Sequence, residues 1–183
     1  MPWVRLFTAL WPDDALRAAL LAQRERWTLP KGAQQVRGER LHLTLHFIGD
    51  LPHERLPVLR EAFGDVRVEP IAFVLDTNEV WRNGVASLRA SELPAALQRC
   101  FDHVGTALDA AGIELERRAW KPHVTLARRA TGALPPAEPF AIEWRADGFV
   151  LVESVPGGRG YVVQGRYSRT SATASAPKSA RSR

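Results

Sequence analysis

An α+β fold is predicted for this sequence, and three observations lead to that expectation. Strand-like and helix-like segments alternate along its 183 residues. The pattern His-x-Thr-Leu occurs twice, beginning at His42 and at His123, and each copy lies in its own half of a repeating strand–helix–strand pattern. Because 45% of the residues are hydrophobic, the chain can bury the core of one domain, or of two small lobes that share a core.

The first half of the chain predicts two units of a strand followed by a helix. A short apolar strand is expected over VRLFTALW, and the two aspartates after Pro12 can cap the helix that follows it. A second strand is expected over LHLTLHFIG, which alternates apolar and polar residues and ends at Gly49. A second helix then runs from Pro52 to about Phe63.

The second half predicts further strands around one long helix. Two strands are expected within IAFVLDTNEVWRNGVASLRA, with turns at residues 76–78 and at RNG, a strong hairpin signal. The long helix begins near Pro94 and ends at Gly112. Strands are expected again over HVTLA, FAIEWRADGFVLVES and GYVVQGRYS. Both His-x-Thr-Leu copies are therefore predicted to lie on strands.

The end of the chain differs in composition from the rest. Residues 169–183 lack hydrophobic periodicity, which predicts a disordered basic tail and leaves residues 1–168 as a single folded domain. The tail has four basic residues and no acidic one, so it carries most of the formal net charge of +5. The folded part therefore lacks the large positive charge of a nonspecific nucleic-acid binder.

Cysteine use and hydropathy predict a compartment. A single cysteine, Cys100, excludes an intrachain disulfide and fits a reducing environment; on a helix without a nearby histidine it is expected to be buried and unreactive. No apolar stretch approaches the roughly 18 residues of a membrane span, and the N-terminus lacks a secretory cleavage pattern. We expect a cytoplasmic protein that is a monomer and does not bind membranes.

The repeated motif has a defined geometry on a strand. Side chains alternate between the two faces, so His42 and Thr44 share one face, as do His123 and Thr125. The opposite face of the first motif strand is then apolar: Leu43, Leu45 and Phe47. An internal duplication would set the two His-Thr pairs facing each other across a groove.

Two facing imidazoles suit proton transfer. An imidazole has an unperturbed pKa of about 6.5, so a pair can serve as general acid and general base, each role contributing about 10²–10⁴ in rate. A threonine hydroxyl two residues on can donate a hydrogen bond to an anion held between the histidines. This set fits an in-line phosphoryl displacement and needs no metal ion when the ester is activated.

Simpler interpretations apply to single residues. One His-x-Thr on a strand is more often structural, and it is the second copy in a matching context that favours catalysis. His46 shares the predicted face of His42, but positions i and i+4 on a strand are about 13 Å apart, too far to share a zinc ion, so His46 is expected at the rim. His53 is expected on the surface at the start of a helix, and His103 on the long helix with no evident partner. Three tryptophans can either stack on a nucleobase or belong to the core: Trp81, Trp120 and Trp144.

These residues and motifs resemble the 2H phosphoesterase superfamily, named for two His-x-Thr motifs, and within it the bacterial and archaeal RNA 2′,3′-cyclic phosphodiesterases, historically called 2′-5′ RNA ligases. The similarity covers almost everything before the tail, including RLFTALWPDDALRAAL, LHLTLHFIGDLP, WRNGVASLRA, WKPHVTLAR and FVLVES with GYVVQGRYS. The resemblance implies two pseudo-symmetric lobes of antiparallel sheet, with outer helices, around a central cleft that holds both motifs. It also implies hydrolysis of 2′,3′-cyclic phosphates on RNA ends or nucleotides to 2′-phosphates, without a metal ion or other cofactor.

The resemblance assigns a role to five residues. His42 is the acid that protonates O3′ and His123 the base that activates water, while Thr44, Thr125 and Arg128 bind the phosphate. Strand alternation alone would put Arg128 on the wrong face, so the strand is expected to bend or end by residue 127. Its neighbour Arg129 is expected to be solvated.

Other functions stay open on the sequence alone. One alternative is a 2′-5′ RNA ligase or 2′-5′ oligonucleotide phosphodiesterase, which is still an enzyme. Another is a noncatalytic module for RNA ends or nucleotides, in which the same histidines only hydrogen-bond a phosphate. Turnover of a cyclic nucleotide separates this module from an enzyme.

Overall fold

The computed structural model describes residues 2–115, 119–157 and 160–168. Within these ranges it has three α-helices and ten strands, with single turns of 3-10 helix at Gly38–Arg40 and His53–Arg55. The bounds are β1 Trp3–Leu10, α1 Asp14–Glu25, β2 Gln34–Gln35, β3 Leu43–Pro52, α2 Leu56–Gly64, β4 Ile71–Leu75, β5 Thr77–Val80, β6 Ala86–Arg89, α3 Ala95–Ala110, β7 Val124–Arg128, β8 Ile142–Ala146, β9 Gly148–Val155 and β10 Gly160–Ser168. The predicted tail, residues 169–183, lies outside the described residues.

Eight strands form one antiparallel sheet in the order β10-β9-β1-β3-β7-β6-β5, with β2 paired to β7 beside this path. The strands β4 and β8 form a separate antiparallel pair. At the centre of the large sheet, among the described residues, β3 and β7 pair at one position, Leu43 with Val124. The sheet thus has two antiparallel halves that meet at the two motif strands, and the predicted α+β fold with antiparallel sheets is confirmed.

The first and third helices form where the sequence predicts them, whereas α2 begins at Leu56, after a 3-10 turn, rather than at Pro52. The Asp13 side chain accepts a hydrogen bond of 2.8 Å from the backbone N–H of Leu16, which satisfies one of the free donors at the start of α1. Pro94 directly precedes α3, as predicted. The chain leaves α3 through Gly112, whose φ of 73° lies in the left-handed region that glycine adopts most easily.

A single large core joins the helices to one face of the sheet. Leu20 of α1, Phe63 of α2 and Val104 of α3 are all fully buried in it. A second, smaller apolar cluster consists of Phe7, Ala9, Val150 and Val152. Because Phe7 and Ala9 alternate along β1 with core residues, this cluster lies on the opposite face of the sheet. Within the described ranges, no helix is both long and apolar enough to cross a membrane.

The segment predicted to hold two strands holds three. The RNG signal is confirmed, since β5 and β6 pair around a turn in which the Trp81 N–H donates to the Val85 carbonyl at 2.9 Å. The strand β4 instead pairs with the distant β8. Between β4 and β5 the Asp76 carboxylate accepts hydrogen bonds from the Ser91 N–H at 2.8 Å and hydroxyl at 2.6 Å, which fixes the change of direction. The pairing partner of β4 depends on tertiary packing, which a local sequence pattern does not predict.

Two register shifts make β3 different from the expected regular strand. Opposite β1, Leu45 and Ile48 are each an extra residue, and the strand continues past Gly49 to Pro52. Gly49 has a φ of 86°, which suits such an irregularity. Each extra residue shifts the inward and outward alternation by one position. The predicted burial pattern of β3 therefore holds only up to Leu45.

Candidate active site

Both His-x-Thr motifs lie at the centre of the large sheet. His42 directly precedes β3 and His123 directly precedes β7. The residues that follow them, Leu43 and Val124, form the pair that joins the two strands. Side chains alternate along each strand, so the residues on either side of Leu43 and of Val124 all point to the face opposite these two. In an antiparallel pair, the residue before Leu43 lies across from the residue after Val124, and the residue after Leu43 lies across from the residue before Val124. The two histidines and two threonines are thus grouped on one face, each histidine across from the other motif's threonine. We call this the site face.

Both histidine rings are oriented by the same hydrogen bond. The Nδ1 atom of His42 lies 2.7 Å from the Arg40 carbonyl oxygen, and that of His123 lies 2.7 Å from the Lys121 carbonyl oxygen. A carbonyl oxygen only accepts, so each Nδ1 carries the proton and donates it. In a neutral ring the lone pair is therefore on Nε2. For His42, this Nε2 is 3.0 Å from Thr44 Oγ1.

Aromatic side chains surround the His42 ring. The Trp11 ring stacks on it, with centroids 5.7 Å apart and planes 15° apart. Phe7 lies 4.8 Å away, and Tyr161 contacts it edge-on at 5.4 Å. The Arg40 guanidinium lies over the Tyr161 ring, 5.6 Å from the ring centroid, in a cation–π contact. No local sequence pattern indicates this group, because two segments far apart in the chain contribute the rings: β1 with Trp11 directly after it, and β10.

Burial by these rings determines the charge of His42. Loss of solvent lowers its pKa from 6.5 to about 4, although the hydrogen bond to the Arg40 carbonyl raises it. Electrostatic repulsion from Arg128, and from His123 whenever that ring is protonated, lowers the pKa of His42 further. At neutral pH the His42 ring is uncharged in the ligand-free protein.

The ring of His123 contacts Trp81 at the tip of the β5–β6 hairpin. Their centroids are 4.4 Å apart. The Trp81 indole donates a hydrogen bond of 2.9 Å to the Glu79 carboxylate, which is also 3.3 Å from the Arg89 guanidinium. The hairpin thus holds Trp81 in place against His123. Trp81 was expected either to belong to the core or to be available for stacking on a nucleobase. The structure shows it half-buried beside the second motif, outside the core.

The position of Arg128 depends on an irregularity in β7. Opposite β6, Thr125 pairs with Ser87 and Ala127 pairs with Ala86, so Leu126 is an extra residue. Ala127 is consequently buried, and Arg128 is exposed on the same face as Thr125. The strand bends before residue 127, as the role implied for Arg128 requires. Its neighbour Arg129 is exposed and has a left-handed φ of 52°.

The first motif contains the same irregularity. There Thr44 pairs with Ala9 and His46 pairs with Thr8, so Leu45 is the extra residue. The sequence Thr-Leu-x-x thus bends in both motifs after threonine, and Phe47 occupies the position that Arg128 has in the second. Phe47 was expected in the apolar row. It is instead 54% exposed on the site face.

The expectation that His46 lies at the rim is wrong. His46 is buried and stacks on Phe101 of α3, with ring centroids 4.0 Å apart and planes 17° apart. Its Nε2 lies 2.8 Å from the Phe101 carbonyl oxygen, and burial lowers its pKa. The extra residue Leu45 turns His46 away from His42 and into the core. That irregularity has no local sequence signal.

A cavity of about 270 Å³ opens beside the two motifs. Its wall is mostly aromatic and aliphatic, and it contains one lysine. The lining residues are Thr44, Leu45, His46, Phe47, Trp81, Phe101, Leu115, Ala119, Trp120, Lys121 and His123. Trp81 and Trp120 line it, whereas Trp144 is buried in the core against Phe73. The cavity therefore offers apolar ring faces directly next to His123.

The remaining candidate residues lie away from this cavity. His53 is exposed, as expected. His103 is exposed on α3 as well, but it has a partner that the sequence did not indicate, since its Nδ1 lies 3.2 Å from the Arg67 carbonyl oxygen. Cys100 is buried in α3, and burial raises the pKa of its thiol to about 12, so it is unreactive at neutral pH. Among residues 2–115, 119–157 and 160–168, no three or more His, Cys, Asp or Glu side chains are grouped to hold a metal ion.

Comparisons with known proteins show the family of this chain. The sequence model of the LigT-like phosphoesterases matches residues 10–86. An RNA 2′,3′-cyclic phosphodiesterase from Thermus thermophilus is 32% identical over 184 residues, which cover 90% of this chain and 90% of the relative. This chain belongs to the LigT-like phosphoesterase family. Its fold matches the crystal structure of Escherichia coli LigT in apo form with a TM-score of 0.81 at 26% identity, covering 93% of this chain and all of that one. The LigT structure complexed with 3′-AMP matches with a TM-score of 0.80, at the same identity and coverage.

Proposed function

We propose that this LigT-like phosphoesterase is an RNA 2′,3′-cyclic phosphodiesterase that hydrolyses 2′,3′-cyclic phosphate ends to 2′-phosphates by metal-independent, two-histidine acid–base catalysis. The observation that carries the proposal is the grouping of both motifs about the Leu43–Val124 pair, with Nδ1 of each histidine bound to a backbone carbonyl. The name of the Thermus relative and the 3′-AMP complex of LigT support the same substrate class.

The reaction is an in-line displacement at phosphorus. His123 Nε2 takes a proton from water as the water oxygen bonds to phosphorus. His42 Nε2 gives a proton to O3′ as the bond between phosphorus and O3′ breaks. The phosphate stays on O2′, and proton exchange with solvent restores both rings. This sequence requires the two Nε2 atoms on opposite sides of the phosphate, which the antiparallel placement of the two motifs supports.

Negative charge on the phosphate is met by three side chains. The hydroxyls of Thr44 and Thr125 share the site face with the histidines and can donate to the nonbridging oxygens. Arg128 lies on the same face after the bend in β7, and its guanidinium can bind two oxygens at once. The exposed ring of Phe47 and the Trp81 ring offer surfaces on which a nucleobase can stack.

The acid role of His42 has a requirement of its own. An acid must be protonated, yet the pKa of His42 is about 4 in the ligand-free protein. A phosphate anion beside Nε2 favours the protonated ring and raises this pKa. We therefore expect His42 to gain its proton together with the substrate, with the new Nε2–H directed to O3′ and the Thr44 hydroxyl turning from Nε2 to the phosphate.

Turnover of a panel of 2′,3′-cyclic mononucleotides and short oligonucleotides, followed by chromatography, tests the proposal. The expected result is release of a phosphomonoester at a rate that EDTA leaves unchanged. Binding without turnover would support the noncatalytic module instead. Joining or cleavage of 2′-5′-linked RNA, without hydrolysis of any cyclic phosphate, would support the ligase or oligonucleotide phosphodiesterase alternative.

We also propose the setting of this activity. The catalytic unit is a single bilobal domain over residues 1–168 that acts as a cytoplasmic monomer on RNA ends or nucleotides, and the basic segment over residues 169–183 follows it. The single buried cysteine supports a reducing compartment.

A further inference from the structure

Three aromatic rings form a continuous stack beneath the cavity. Phe101 of α3 lies in the middle, 4.0 Å from the His46 ring and 4.1 Å from the Trp120 ring between centroids. The planes are nearly parallel, at 17° and 13°. Because His46 Nε2 donates to the Phe101 carbonyl at 2.8 Å, the outer ring on the β3 side is fixed in its orientation. The stack therefore connects a residue of the first motif strand to Trp120 through α3.

Trp120 also contacts the first motif directly. Its indole Nε1 donates a hydrogen bond of 3.1 Å to the backbone carbonyl of Thr44. Trp120 stands three residues before His123 in the segment that leads into β7. One side chain from the second motif's own segment thus binds the backbone of the first motif at its threonine.

This bond lies where the sheet offers little support. Within the described residues, β3 and β7 pair only through Leu43 and Val124. By contrast, β1 pairs with β3 along eight positions. The separation of the two motifs therefore depends on few backbone contacts. Further contacts that keep β3 and β7 from sliding or separating have to come from side chains.

We propose that Trp120 is a positioning residue that holds the two His-x-Thr motifs at the separation required for acid–base catalysis. It acts through its indole N–H on the Thr44 carbonyl, supported by the ring stack. The inference rests on the proposed function, because it assigns the motif spacing a catalytic purpose. Misplacement of reacting groups by about 1 Å can cost about 10²-fold in rate, so loss of this bond is expected to reduce kcat.

The variant Trp120→Phe tests this role, because it keeps an aromatic ring in the stack and removes the N–H. We expect kcat to fall by about tenfold or more while KM stays within about twofold, since alignment matters more in the transition state than in the bound substrate. Trp144→Phe is the matched control: Trp144 also stacks on a phenylalanine, but its indole nitrogen has no hydrogen-bond partner. This control is expected to lower stability and leave kcat unchanged.

Two results would overturn the inference. One is a kcat for Trp120→Phe that matches the Trp144→Phe control. The other is a change in KM alone, which would make Trp120 a substrate contact in the cavity wall. If Trp120→Phe fails to fold, Trp120→Leu makes the same comparison, since it keeps an apolar side chain and has no hydrogen-bond donor.

A readout without turnover separates this inference from the proposed function. The imidazole signals of His42 and His123 in NMR spectra should both shift in Trp120→Phe and stay in place in Trp144→Phe. Unchanged imidazole signals in Trp120→Phe would reject the positioning role. If the wild-type protein hydrolyses no cyclic phosphate, the proposed function fails, and the imidazole spectra still decide whether Trp120 couples the two motifs.

Discussion

At the scale of single residues, a backbone carbonyl two positions ahead of each motif histidine decides which ring nitrogen carries the proton in the neutral ring. The Arg40 carbonyl holds the Nδ1 proton of His42, and the Lys121 carbonyl holds that of His123. Both rings therefore present Nε2 in the same tautomer before any ligand binds. Such orientation ahead of binding reduces the rearrangement that the reaction itself requires.

The two histidines should act as one unit. His42→Ala and His123→Ala are each expected to lower turnover of a 2′,3′-cyclic nucleotide by about 10²–10⁴, because either the acid or the base is lost. The double variant should cost little more than one single variant. His103→Ala is the control, since His103 is an exposed histidine whose Nδ1 lies 3.2 Å from a backbone carbonyl, as in the motifs, but on α3. Near wild-type rates in either single variant would contradict the two-histidine mechanism.

At the scale of secondary-structure elements, matching irregularities in β3 and β7 shape the site. Each strand has one extra residue directly after the motif threonine, Leu45 in β3 and Leu126 in β7. Each extra residue returns a later side chain to the site face, Phe47 in the first strand and Arg128 in the second. An extra residue of this kind buries two successive side chains on the core face. It thereby returns the residue three positions after the threonine to the site face, from which regular alternation would turn it away.

Removing the Arg128 side chain tests what the bend in β7 achieves. Arg128→Ala should lower kcat/KM by about 10²-fold, the loss typical of one donor to a developing charge. It should also raise the pKa of His42, because the charge of Arg128 lowers that pKa in the wild-type protein. The pH dependence of kcat/KM measures both effects. Arg129→Ala, one residue further on, is the control and should match wild type; equal losses in the two variants would contradict the assignment.

Local patterns predicted most elements but not these irregularities. The helix cap at Asp13, the RNG hairpin and the strands of both motifs follow from turn chemistry and alternation. The burial of His46 and exposure of Phe47 do not, because they depend on how β3 pairs with β1. The requirement for a bend before Arg128 could be inferred only by comparing regular alternation with the role that the resemblance implied. The pairing of β4 with β8 joins segments too distant for any local signal.

At the scale of the whole molecule, the aromatic group around His42 links proton binding to folding. Folding lowers the pKa of this ring from 6.5 to about 4, mainly through burial. Between these two values the unfolded chain binds a proton that the folded protein does not bind. The folded state therefore loses stability as the pH falls through this interval, and the contribution is complete above the unfolded pKa.

This linkage predicts how acid affects stability. As the pH falls from about 6.5 to about 4, the free energy of unfolding of the wild-type protein should decrease by up to about 3 kcal/mol through His42 alone. His42→Gln, which does not titrate, should lack this part of the decrease. Urea unfolding of both proteins across this pH range measures the difference. Parallel pH dependences in the two proteins would show that the His42 pKa is not lowered by folding.

The basic tail is expected to act separately from the catalytic unit. Deleting residues 169–183 removes four positive charges and should leave kcat and KM for a cyclic mononucleotide unchanged. Binding of long RNA should weaken and lose part of its salt dependence, because fewer phosphates are neutralised. Turnover and salt-dependent RNA binding of the truncated protein check both expectations. A large loss of mononucleotide turnover would show that the tail belongs to the folded unit.

The central claim is that His42 and His123 lie on opposite sides of a cyclic phosphate and open it toward O2′. Phosphorus NMR of the product formed from 2′,3′-cyclic AMP, compared with authentic 2′- and 3′-phosphates, tests it most directly. A 2′-phosphate is expected as the dominant product, because the acid protonates O3′ as it leaves. A dominant 3′-phosphate would mean that the ribose binds in the reverse direction, and an unchanged cyclic phosphate would contradict the catalytic account altogether.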